Sequence, residues 1–215
     1  LEVRRTQAQL QAVTGKRDLG AARMALTAAV AALVKQAFPA FTPAQVRAAL
    51  LGSVLVAETL ARLQVPFRVD GFQDVLIPLH DFNESLGPVS RQRLAEMVQE
   101  VEGCRHDGNN QPRYNDDAPC LLEHAEKLLD YPTADRILIV VSDGLPEGRR
   151  STATDLHEAV ARLSDPGVGL RLVALGLGPD TEHVRSFYPE AVANVPLPRF
   201  AETIGRLVES VLLGP

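Results

Sequence analysis

Tryptophan is absent from this chain of 215 residues, and aromatic residues make up only 5% of it. That scarcity argues against a surface on which single-stranded nucleic acid could stack. Cysteine is nearly absent too: only Cys104 and Cys120 occur, which makes a secreted disulfide scaffold improbable and points to a reducing, cytoplasmic setting. Long apolar runs are missing. The Ala-rich stretch around residues 24 to 34 is too short to span a bilayer and follows no signal-peptide layout. Nor is there an excess of positive charge, since the formal net charge is -5, so neither nucleic acid nor an anionic membrane is an expected partner. Basic residues do cluster in VRRTQ and EGRR, and both read as solvated faces.

The signatures of catalysis are equally scarce. VTGKRD carries Gly-Lys without the earlier glycine and the following Ser or Thr that a phosphate loop needs. GLGPDTE lacks the third glycine of a dinucleotide fingerprint. No Gly-x-Ser-x-Gly elbow occurs, and His80, His106, His124, His157 and His183 show no partner arrangement. Cys104, His106, Cys120 and His124 are ligand types that suit zinc, and Cys120 with His124 share a helix face. Their spacing matches no zinc motif, however, and cysteine is commonly a small core residue. The expectation is a chain that is not an enzyme.

What is present is ordinary globular material, 46% hydrophobic and 23% charged. Residues 1–20 read as a short polar helix or the tail of a linker, and residues 21–215 as one domain. Because the first residue is Leu1, the chain is expected to be a fragment or one domain of something longer. LTAAVAALV (26–34) suits a strand covered on both faces, although its alanines suit a helix equally. TPAQVRAALLGSVLVAETLARL (42–63) has Thr42 as cap and Pro43 at the first helical position. VPFRVDGF and DVLIPLHDF form a hairpin about Gly71 to Asp74. SRQRLAEMVQEVEG (90–103) is a helix capped by Ser90, and a long polar loop (104–117) leads into APCLLEHAEKLL. DRILIVVSDG (135–144) is the plainest strand, with five consecutive branched apolar residues. STATDLHEAVARL is a helix, GLRLVALGLG a buried strand, EHVRSFY a short helix, AVANVPL an edge-like strand, and RFAETIGRLVESVLL a closing amphipathic helix. Tyr188 and Phe187 are expected to pack against the sheet's edge.

This alternation predicts an α/β fold: a mostly parallel sheet with one antiparallel edge strand and helices on both faces. In such sheets ligands sit outside the carboxyl ends of the strands, where the strand order reverses. The loops after residue 34, after residue 142 and over 104–117 are therefore the places to look.

VLVAETLARLQVPFRVDGF, NDDAPCLLEHAEKLL, ILIVVSDGLP and LGLGPDTEHVRSFYPEAV, taken in order, resemble the von Willebrand factor A domain. The nearest version is the one at the carboxyl end of the cobaltochelatase T subunit and of the nitric-oxide-reductase activation proteins. The resemblance covers residues 26 to 212 and implies a three-layer, Rossmann-like fold with a six-stranded sheet. In that family the first strand ends in Asp-x-Ser-x-Ser, a loop before a later helix gives a Thr, and the fourth strand ends in Asp. Together these hold a divalent cation whose open position takes an acid from a partner. Carried over, the pattern puts Lys35 at the Asp, Ala37 at the first Ser, Pro39 at the second, Asn115 or Asp116 at the Thr, and Asp143 at the fourth-strand Asp. The resemblance thus implies a degenerate adhesion site without its metal. Lys35 is expected to pair with Asp143 or Asp116 in the cation's place, or else to point into solvent. The alternative is a site that keeps magnesium through Asp143 and Asp116. The implied role is a scaffold or adaptor, with an AAA+ ATPase of the MoxR or chelatase type as possible partner.

Overall fold

A computed structural model describes residues 28–35, 43–73, 75–96, 116–142, 145, 146 and 148–213, with side chains described from residue 48 to residue 210. Strand β1 (Ala28–Lys35) is followed by helix α1 (Pro43–Leu63), β2 (Phe67–Phe72) and β3 (Leu76–His80). Helix α2 covers residues 88–96. Then come α3 (Asp117–Leu129), β4 (Asp135–Ser142), α4 (Ala153–Leu163), β5 (Arg171–Leu177), the short α5 (Val184–Phe187), β6 (Ala191–Val195) and α6 (Phe200–Leu213).

The strands form one sheet in the order β3-β2-β1-β4-β5-β6. β3 lies antiparallel to β2, and every other neighbouring pair is parallel. The order reverses between β1 and β4, whose carboxyl ends therefore border the crevice such a sheet offers a ligand.

β4 shows why the sheet is covered on both sides. Successive residues on a strand point to opposite faces. Ile137, Ile139 and Val141 accordingly enter one core, with Val56, Leu60, Phe200 and Ile204 of α1 and α6. Leu138 and Val140 enter the other, with Leu121, Leu128, Leu156 and Val160 of α3 and α4. An unbroken apolar run is what such a strand requires. Tyr188 is buried in the second core, and Phe187 stacks on His157 with ring centroids 4.5 Å apart.

Helix ends follow local chemistry. α4 opens with a capping box: the Asp155 backbone N–H donates to Thr152 Oγ1, and the Thr152 N–H donates to the Asp155 carboxylate. α1 ends where Gln64 turns to φ 56, which lets the Val65 N–H reach the Leu60 carbonyl at 3.0 Å. Two details differ from the sequence reading. β2 continues through Gly71 to Phe72, so the hairpin turn lies later than Gly71. α2 is already helical at residue 88, and Ser90 sits inside it, its hydroxyl bonded to Glu84 at 3.1 Å instead of capping. Pro88 suits a first turn because it has no N–H to satisfy there.

Among the described residues no helix is long and apolar enough to cross a membrane.

Candidate functional site

β1 ends at Lys35, paired in register with Phe72 of β2, and β4 ends at Ser142, paired with Gly176 of β5. The Lys35 side chain, Ala37, Pro39, Asn115 and Asp143 lie outside the described residues, as do Cys104, His106 and residues 1–20. Asp116 is the sequence-derived site residue whose side chain is described.

Asp116 stands just before α3 and is 1% exposed. Its backbone N–H donates to the Gln73 carbonyl at 3.0 Å, tying the start of α3 to the β2–β3 turn. Its carboxylate accepts two bonds from Arg150, in the loop after β4: the backbone N–H reaches Oδ1 at 2.7 Å and the guanidinium Nε reaches Oδ2 at 2.9 Å. The Arg150 side chain is itself 58% exposed. Burial of a carboxylate is costly unless charge and hydrogen bonds compensate it, and here a protein cation does so from the solvent side. Sequence reading treated EGRR as a solvated face and so missed Arg150. The side chain is indeed solvated, yet it is also bonded to an acid of the predicted site.

Below this rim the thiol of Cys120 donates to the Gln73 carbonyl at 3.7 Å. Burial pushes that thiol up to about 12, while the neighbouring Arg150 charge pulls weakly the other way. Burial, reinforced by the charge of Asp117, raises the Tyr188 hydroxyl well above its ordinary value.

A second polar cluster lies deeper, between β2 and α3, and no motif announced it. His124 Nδ1 and Asp70 Oδ2 are 2.7 Å apart, and both side chains are fully buried. Arg68 Nε donates to the same oxygen at 2.8 Å, and its guanidinium also bonds Asp81 in the loop after β3. Burial works to raise the Asp70 carboxyl, but hydrogen bonds and charge from His124 and Arg68 outweigh it and hold the group below its ordinary value. Arg68 and Asp70 are two apart on a strand and so share a face. That charged i, i+2 pair inside an apolar strand was the available signal. With His124 turned to Asp70 and Cys120 to Gln73, neither points to a shared zinc ion. Among the described residues no three His, Cys, Asp or Glu side chains group as metal ligands.

The arrangement, a parallel sheet reversing at β1 and β4 with helices on both sides, is a fold shared with von Willebrand factor A proteins. The structure of a von Willebrand factor type A protein from Catenulispora acidiphila matches 86% of this chain with a TM-score of 0.60 at 13% identity. The PilB minor pilin from Streptococcus sanguinis matches 86% with a TM-score of 0.61 at 10% identity. The matches span 42% and 61% of those two chains. At such identities the likeness is one of fold alone. No protein-family model matches the sequence, and no curated protein does.

Proposed function

We propose that this chain is a non-catalytic protein–protein interaction module, a von Willebrand A-like scaffold or adaptor whose adhesion site has lost its metal. The resemblance to the cobaltochelatase and nitric-oxide-reductase-activation type suggests an AAA+ ATPase of the MoxR or chelatase class as its partner.

The observation that carries this reading is the Asp116–Arg150 pair. Hard dications need oxygen donors facing an open position. Both Asp116 oxygens instead accept from Arg150, at 2.7 and 2.9 Å, so a dication at this carboxylate would meet a guanidinium already seated. Lys35, Ala37 and Pro39 further replace an acid and two hydroxyls of the family's pattern. The described donors therefore do not fit magnesium. Two facts favour binding over chemistry. The Asp70–His124 pair resembles an oriented base, but both side chains are 0% exposed and out of a substrate's reach. The Cys120 sulfur, with its value pushed to about 12, stays a thiol near neutrality.

Manganese titration followed by calorimetry tests the reading, with purified MoxR-type ATPase added in parallel in EDTA. The expected result is no heat of metal binding and a complex that survives EDTA. Micromolar metal binding that Asp143→Ala abolishes would replace this reading with a magnesium site on Asp143 and Asp116.

A further inference from the structure

The hydrogen bonds of Asp116 do more than satisfy a carboxylate. They draw together the β2–β3 turn through Gln73, the start of α3 and the loop after β4 through Arg150. On this join stand Val75 and Leu145, 56% and 48% exposed. Scattered exposed apolar residues are ordinary. These two, however, come from separate segments that one buried acid gathers, and the exposed Arg149 and Arg150 lie in the same loop as Leu145. We propose that the rim formed by Val75, Leu145 and Arg150 is a docking surface for a protein segment carrying an aspartate or glutamate beside an apolar side chain.

This rests on the interaction-module reading and supplies its partner chemistry. Three physical points favour that occupant. Arg150 is held to Asp116 by its backbone and by Nε, so part of its rotamer freedom is already lost before a partner arrives. The Asp116 charge is buried and the guanidinium exposed, so the pair presents its positive end to solvent. The chain as a whole carries -5, so an acidic segment is repelled elsewhere and oriented toward this basic rim. The flanking Val75 and Leu145 would contribute affinity by leaving water.

The full chain, panned in EDTA against a random-peptide display library, supplies the probe: the most enriched peptide, made synthetically. An acid beside an apolar residue is the expected pattern. Its affinity should fall about tenfold on Asp→Asn or Glu→Gln exchange in the peptide, on Arg150→Gln, and in the Val75→Asp, Leu145→Asp double variant. Arg150→Lys should keep part of the binding. Val75 and Leu145 are exposed, so their variants should fold even where Arg150→Gln loosens the loop, which thermal melting checks. Acid-free peptides, or affinity indifferent to the rim variants, would overturn the rim while leaving the module reading in place. Binding seen only with magnesium, or no enrichment at all, would count against both.

Discussion

Asp116 and Asp70 are both buried carboxylates, but they are compensated in opposite ways. Asp116 relies on an arginine anchored from solvent, whereas Asp70 relies on Arg68 and on His124, both as buried as itself. Losing the exposed partner should be the milder change. Arg150→Ala keeps the backbone N–H on Oδ1 and loses only the charged bond to Oδ2, so chemical denaturation should show a loss of about 1–2 kcal/mol. Asp70→Asn leaves Arg68 and His124 without their shared anion, at a cost of about 3–5 kcal/mol at neutral pH. The acid limb separates the two further. A carboxyl held below its ordinary value stabilises the fold above roughly pH 4, and that contribution is lost as pH falls through its folded value. Denaturation followed from about pH 5 to about pH 2 should therefore fall more steeply in the wild type than in Asp70→Asn. Little of this could be read from sequence. Asp116 and Arg150 stand 34 positions apart, and Asp70 and His124 stand 54 apart. Only the fold brings such partners together, whereas the substitutions at Lys35, Ala37 and Pro39 were legible because the resemblance aligned them.

At the scale of elements the sequence is far more transparent, because periodicity and turn chemistry are local properties. The branched run over 137–141 could only be a buried strand, and the element order follows from where such runs alternate with helical spacing. Ser90 was misleading, since a serine before an apolar-periodic run looks like a cap whether or not the helix has already begun. Two glycines mark close approaches that periodicity does not announce. A Cβ at Gly52 of α1 would lie 2.2 Å from Cε1 of Phe200, which is fully buried and cannot swing away. A Cβ at Gly176 of β5 would lie 2.5 Å from Thr181 Oγ1. Gly52→Ala and Gly176→Ala should each destabilise by about 1–3 kcal/mol in thermal or chemical melts, against the usual gain of alanine over glycine in a helix. Thr152→Ala removes the hydroxyl of the α4 capping box and should cost about 1 kcal/mol.

For the whole molecule the informative fact is where the strand order reverses. The β1–β4 junction gathers the segments that the sequence singled out, and a resident dication there would link those ends thermodynamically as well as spatially. A metal held at a hundredfold excess over its Kd would raise stability by about 2.7 kcal/mol. The expected outcome here is a melting midpoint unchanged by magnesium or EDTA, measured by calorimetric scanning.

The sheet's two margins carry a separate consequence. At one, Pro78 removes a backbone N–H from β3. At the other, Asn194 of β6 turns to φ 55 with its N–H engaged by Thr181 Oγ1, while the Ala191 carbonyl accepts from Arg185. A foreign strand arriving at either side finds an interrupted template. Crowded solutions of this protein should therefore resist fibrillar stacking, and Pro78→Val is the change expected to invite it.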